Sequence, residues 1–379
     1  MHEVAVIGGG IVGSSVGYHL ARAGVDTVLL DREDEGRATA AGAGILSPAT
    51  SSRTDSDTWF EFAIEAVAYY DDLVAALEAE QDGDTGYARP GLLSVALDDA
   101  EVEAFEAAMS RIERRQADLG SPEPGSFREL SPAEARERLP ALAEDVRRAA
   151  SYENAARVDG RIFTEALRRA GRAHGLEIRR TEAEGIRVED GAVAGVETED
   201  GALDAERVVV AGGAWSGAFG DDLGVEIPVE PKRGQIAHLG AAELDTADWP
   251  IVSPFRGHYV VPWPDDRVVA GATREAGSGF APYKTAGGVR EVLDECLRVV
   301  PGLDDAELEE IRVGLRPVSA DKLPVLGEVP DVDGAFIATG HGATGLQLGP
   351  YSGKLVAQAA RGADVETDIS AFGVERFEG

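Results

Sequence analysis

The sequence predicts an α/β fold: a discontinuous, Rossmann-like nucleotide-binding domain, joined by an α+β second domain built on an antiparallel sheet. Three observations predict it. Residues 3–31, EVAVIGGGIVGSSVGYHLARAGVDTVLLD, read as strand, glycine-rich turn, helix and strand. Two later apolar runs, VVVA (208–211) and AFIATG (335–340), read as buried strands that rejoin that sheet from the middle and the end of the chain. Between them, residues 226–275 carry short strands (VEPKRGQIAHL, HYVVPW, RVVAGAT) separated by Pro and Gly, the pattern of an antiparallel sheet. At 379 residues two domains are expected. The expected division gives 1–85, 145–225 and 310–379 to the nucleotide-binding domain, and 86–144 and 226–309 to a substrate-binding domain.

Taken in order, Val4 to Ile7 form a strand without alternation because both of its faces are covered. Gly8, Gly10 and Gly13 give G-x-G-x-x-G: a tight turn, close approach of backbone to a pyrophosphate, and close packing of helix on strand. Ile11, Val12, Val16 and Leu20 follow at helical spacing until Gly24, and the free N–H groups of that helix's first turn face the phosphates. The second strand, 26–30, ends on Asp31, placed to bind ribose hydroxyls and to repel a 2′-phosphate, which argues against NADP. Helices are predicted over 57–80, 99–119, 131–139 (opened by Ser131-Pro132 with Glu134 closing a capping box), 285–300 and about 352–361. A strand is predicted over 91–97, and 161–178 reads as a helix running into a strand. A three-stranded meander is predicted over 185–211 with turns at Asp190-Gly191 and Asp200-Gly201.

Composition excludes several function classes. Sixty-nine Asp+Glu against 36 Lys+Arg leave a formal charge of −33, which repels nucleic acid and anionic lipid. So acidic a chain with four lysines suits concentrated salt, where self-repulsion is screened, and a halophilic protein is expected. The single cysteine, Cys296, rules out an internal disulfide and any multi-cysteine metal site, and an amphipathic helical setting reads it as a buried thiol. No His/Asp/Glu cluster has metal-ligand spacing, so no metal is expected. The chain enters a strand at once and has no apolar run approaching a span, so a cytoplasmic protein without a membrane helix is expected.

No second complete glycine fingerprint follows; ERVVVAGGAWSG (206–217) lacks the spacing. One nucleotide site then serves one tightly held cofactor, and the small-residue stretch GRATAAGAGILSP (36–48) allows backbone to lie along a large flat ligand. These residues favour FAD over NAD without deciding between them. Near the end, GLRPVSADKLPVLG (314–327) holds Arg316 in an apolar, turn-rich stretch where Pro317 stiffens the backbone, a device for gripping a planar anion. His341, between two glycines, either shapes cofactor electronics or is a loop histidine bonded to backbone, and His258 points to the face of its strand opposite Tyr259.

Together, VAVIGGGIVGSSVGYHLARAG, TAAGAGILSP, VVVAGGAWS, HYVVPWPDDRVVAGATRE with GLRPVSADKLPVLG, and ATGHGATGLQLGP resemble the D-amino acid oxidase-like flavoproteins, above all the glycine oxidase and D-amino acid dehydrogenase branch. The resemblance implies non-covalent FAD and a sheet that roofs the flavin. It implies FAD contacts from Gly8, Gly10, Ile11, Val12, Gly13, Asp31 and Arg32, then from Thr39, Ala40, Gly44, Ile45 and Leu46 along the flavin. It further implies Ala183 at the adenine, Ala211, Gly212 and Trp215, and a glycine-rich loop of Gly342, Ala343, Thr344, Gly345, Leu346 and Gln347 at the flavin's pyrimidine end. Arg316 takes the place of the arginine that pairs with the substrate carboxylate, and Tyr259 that of the tyrosine bonding the same group. Two departures stand out. Some glycine oxidase relatives have a second arginine where this chain has Ala343, and the sarcosine oxidase branch attaches flavin to a cysteine near the position of Arg316, where this chain has none. The reaction implied is hydride transfer from Cα of a small amino acid (a D-amino acid, glycine or N-methylglycine) to flavin N5, giving an imino acid that water hydrolyses to a 2-oxo acid. The electron acceptor would be O2 or a carrier, and a homo-oligomer fits the class. A 2-hydroxy acid dehydrogenase and the flavin subunit of an electron-transfer complex remain as alternatives.

Overall fold

The computed structural model describes residues 1–53 and 56–377, organised around two eight-stranded sheets. In the first, Glu177–Arg179, Thr27–Leu30, His2–Ile7, the C-terminal half of Gly201–Val210 and Ala335–Thr339 lie side by side and parallel, with Val325–Glu328 antiparallel at the edge. Burial explains the unbroken apolar runs. Val4 and Val6 face Val16, Leu20, Trp59 and Leu355 on one side, while Ala5 and Ile7 face Phe219 and Leu223 on the other. The meander of Ala183–Glu189, Ala192–Thr198 and Gly201–Val210 feeds into this sheet. Its first turn has Asp190 at φ 53° and Gly191 at φ 81°, the two left-handed positions that a tight hairpin of matching twist needs.

The second sheet runs Glu307–Ser319, Val229–Gly240, Arg267–Gly271, Tyr259–Pro262, Ile251–Pro254, Leu92–Ala96, Arg148–Tyr152, Phe127–Leu130. Every pair is antiparallel except Ile251–Pro254 with Leu92–Ala96. One face packs on helix Ala286–Val299, burying Val260, Val268 and Ala270 against Val292, Cys296 and Val299. The other face, with Ile236, Tyr259, Val261 and Val269, turns toward the first sheet. Among the described residues no helix is long and apolar enough to cross a membrane.

Two elements differ from expectation. Arg316 sits on the regular strand Glu307–Ser319, opposite Lys232, and not in a turn. Prolines misled the reading: Pro317 faces Pro231, and a proline is tolerated there because the strand is the sheet's edge and needs no outward N–H partner. The last long helix begins at Gly345 rather than near 352, so the supposed loop is a 3-10 turn, Gly342–Thr344, followed at once by helix. Pro350 lies inside that helix and leaves the Leu346 carbonyl without its helical donor; the Tyr70 hydroxyl supplies one instead. The glycines there are packing residues. A Cβ at Gly353 would stand 2.6 Å from that of Ser15 on helix Ile11–Arg22.

Candidate active site

One cavity of about 580 Å³ runs from the ends of the parallel strands to the inner face of the second sheet. At its nucleotide end the chain turns sharply after His2–Ile7. Gly8 has φ +101°, and a Cβ there would lie 2.5 Å from the Ala211 carbonyl oxygen; one at Gly13 would lie 1.9 Å from the Gly8 oxygen. Gly10, the N-cap of the first helix, has no side chain to cap it, and Thr39 Oγ1 accepts from Ile11 N at 3.1 Å from the far side of the crevice. The glycine between the first two of the fingerprint also has a task. Gly9 O accepts from Arg168 Nη2 at 2.6 Å, and a Cβ on Gly9 would meet that nitrogen at 2.2 Å.

Arg168 belongs to helix Gly160–Ala173 and is buried, pairing with Asp31 at 2.5 Å. Arg37 approaches the same carboxylate at 3.2 Å and Glu33 N donates to it at 3.2 Å. A carboxylate has about four acceptor positions, so Asp31 keeps room for a ribose hydroxyl beside these three donors. Arg32 stacks on Trp215 at 5.3 Å and pairs with Asp34 and Glu182, beside Ala183 in the wall of the same cavity.

Gly44 is forced: φ is +77°, and a Cβ would meet the Val158 carbonyl at 1.8 Å, because Ile45–Leu46 pairs with Ala156–Val158. Thr39, Gly44, Ile45, Ala211, Gly212, Gly342, Ala343, Gly345, Leu346 and Gln347 all line the cavity, as do Gly8, Gly10, Ile11 and Val12. Gly13, Ala40, Leu46 and Thr344 are not in its lining. Leu46 is buried among Tyr70, Leu73 and Phe163, and Thr344 Oγ1 donates to His341 O at 2.8 Å. Gln347 accepts from Ser47 N at 3.2 Å through Oε1, while its buried Nε2 has no partner among the described residues, a donor held ready for an acceptor-bearing ring. A glycine cradle, helix N-termini at Ile11 and Gly345, an acid at the ribose position and this idle donor fit FAD along one continuous crevice.

The other end of the cavity carries Tyr259, Arg274 and Arg316. Arg316 Nη1 donates to Thr273 O at 3.0 Å, and among the described residues no carboxylate pairs with it. Glu275, the nearby acid, is taken by Arg233, Gln235 and Thr273, each at 2.7 Å. Burial holds the Arg316 guanidinium below its ordinary value, against the opposing effect of Tyr259, and burial raises the Tyr259 hydroxyl against the pull of Arg316 and Arg274. Two strand glycines make room for both groups: a Cβ at Gly234 would meet the Arg316 guanidinium at 2.3 Å, and one at Gly271 the Tyr259 hydroxyl at 2.7 Å. His341 also lines the cavity, with Nε2 3.0 Å from Ser352 Oγ; burial pushes its pKa down to about 4, so it is neutral at pH 7. His258 lies on the opposite side, 3.3 Å from Glu291.

Cys296 is buried in the outer core of the second sheet, its thiol pushed up to about 12, and is absent from the cavity wall. Gly9, Arg168, Gly234, Gly271 and Arg274 were not singled out from the sequence. For Arg168 a signal existed, since a charged residue interrupts the buried stripe of Thr164, Leu167 and Gly171. The strand glycines looked like ordinary punctuation.

Comparison with known proteins agrees with this geometry. The chain is 37% identical to the uncharacterized oxidoreductase YurR of Bacillus subtilis (strain 168), covering 98% of each. It is 30% identical to the glycine oxidase of Geobacillus kaustophilus (strain HTA426), over 100% of this chain and 98% of that protein. The crystal structure of iminodiacetate oxidase (IdaA) from Chelativorans sp. BNC1 superposes with a TM-score of 0.91 at 36% identity, covering 98% of both. Residues 3–359 match the family DAO, FAD dependent oxidoreductase; the chain belongs to that family, and FAD is its cofactor.

Proposed function

We propose that the protein oxidises the C–N bond of a small amino acid, of the glycine, N-substituted glycine or D-amino acid kind, to an imine that water hydrolyses to a 2-oxo acid. The observation that carries this reading is Arg316: a largely buried cation facing the cavity with no acid of its own among the described residues. An unpaired buried charge is costly, and a planar carboxylate held through two parallel hydrogen bonds relieves it. Tyr259, its hydroxyl protonated well above neutral pH, adds an uncharged donor beside it. FAD, when bound, supplies the two-electron acceptor for hydride from Cα. The chain's part is orientation: a fixed guanidinium on a sheet strand sets where Cα stands. The two arginines also disfavour a substrate ammonium and so favour the neutral amine, whose lone pair assists loss of hydride. The first sheet holds the cofactor and the second forms the substrate roof in this reading. The glycine oxidase and iminodiacetate oxidase relatives support the amine as substrate.

Anaerobic mixing of the FAD-loaded protein with glycine, sarcosine, D-amino acids and 2-hydroxy acids tests it. Loss of flavin absorbance with an amine is expected. Bleaching by a 2-hydroxy acid alone would overturn it.

A further inference from the structure

Four arginines line the cavity, and their partners divide them. Arg32 pairs with Asp34 and Glu182 at 2.5 Å, and Arg37 with Asp31 at 3.2 Å. Arg316 and Arg274 have no carboxylate partner among the described residues; Arg274 makes one long contact, Nη1 to Ala272 O at 3.4 Å. Arg274 is exposed and lines the cavity, so its guanidinium is open to a ligand. The acid next in sequence does not serve it, because Glu275 is held by Arg233, Gln235 and Thr273. Gly257, at φ +83°, leaves space for the Arg274 side chain: a Cβ there would stand 3.1 Å from Nη1.

The charge of Arg274 reaches both Arg316 and Tyr259, so the two free guanidiniums share one field. Arg274 raises the cost of the charge on Arg316. A monocarboxylate neutralises one of them, whereas a dianion neutralises both. The walls nearby (Gly234, Gly314, Leu315 and Pro317) offer no acid to receive a basic substituent.

We infer that the preferred substrate is an amine bearing two carboxylates, one held by Arg316 and the second by Arg274. This rests on the amine-oxidation reading above, and Arg274 is then the residue that sets specificity. The site separates a dicarboxylic amine from its monocarboxylic counterpart by one charge-assisted contact, an effect of about tenfold or more.

Matched probes test it on the FAD-loaded protein. Oxydiacetate and methoxyacetate, which lack the oxidisable amine, are titrated against the flavin spectrum; iminodiacetate and sarcosine are then compared by kcat/KM. The native protein is expected to bind oxydiacetate at least tenfold tighter than methoxyacetate. Arg274→Ala is expected to lose at least tenfold more on the dicarboxylates than on the monocarboxylates, mainly in KM, with partial recovery in Arg274→Lys. Equal binding of the two ethers by the native protein, or an equal loss on both in Arg274→Ala, overturns the inference. Tight, Arg274-dependent oxydiacetate binding with no bleaching by iminodiacetate or any other amine would uphold the anion site and reject amine oxidation.

Discussion

A Cβ at Gly234 would stand 2.3 Å from the Arg316 guanidinium, so the strand beneath that side chain has to be bare. Gly234→Ala should displace the guanidinium and lower kcat/KM on the best amine about tenfold or more, with FAD content unchanged by absorbance. Arg316→Lys keeps the charge and loses the two-pronged geometry; a fall in kcat/KM of about a hundredfold is expected from losing charge-assisted hydrogen bonds of ~1.5–3 kcal/mol each. At the far end of the cavity, Gly9→Ala would push against Arg168 and Asp31, and a lower FAD content in the purified protein is its expected sign. Asp31, Arg316 and Tyr259 could be picked out as residues of a known kind in a known pattern. Their neighbours could not, because a glycine that clears space for a side chain on the adjoining strand looks like any other glycine.

Helices and strands were legible where periodicity was long. Helix Asp57–Glu80 and helix Asp99–Leu119 match the predicted 57–80 and 99–119, each opened by an N-cap acceptor, Ser56 or Asp98. The capping box at Ser131 and Glu134 is present as read. Legibility failed where a residue's role is set by a partner element. Helix Gly345–Ala360 survives Pro350 only because Tyr70 takes up the freed carbonyl and Ser15 Oγ donates to Pro350 O at 2.7 Å. Gly353→Ala should therefore force this helix away from helix Ile11–Arg22, where the opposing atoms include the Val12 carbonyl at 2.9 Å. A loss of about 1–3 kcal/mol in stability is expected, read from thermal or denaturant unfolding; an unchanged transition would show that the two helices can separate freely.

For the molecule as a whole, charge and buried histidines govern the response to solvent. With a formal charge of −33, we propose a salt-requiring protein: Tm should rise steeply as ionic strength increases from low values, and a flat profile would reject the halophilic reading. Burial depresses His19 to about 3 and His238 and His341 to about 4. Unfolding frees each toward about 6.5, so between these values the unfolded chain binds more protons and stability falls as pH is lowered. Thermal melts at fixed salt should decline between about pH 6.5 and 5, and His238→Leu should make the decline shallower.

Local physics in the sequence was enough to determine the nucleotide turn and the two-sheet plan, whereas FAD and the carboxylate-binding place expected of Arg316 came with the family resemblance. The turn and the sheet plan depend on residues close together or on a period along one element. The tertiary structure alone decided that Arg316 stands on an edge strand and that Arg168 neutralises part of Asp31. It also decided that the Gln347 amide is left idle and that Arg274 shares the cavity without an acid. Those facts concern which groups lack partners, and a missing partner is a property of the folded surroundings that no local pattern records.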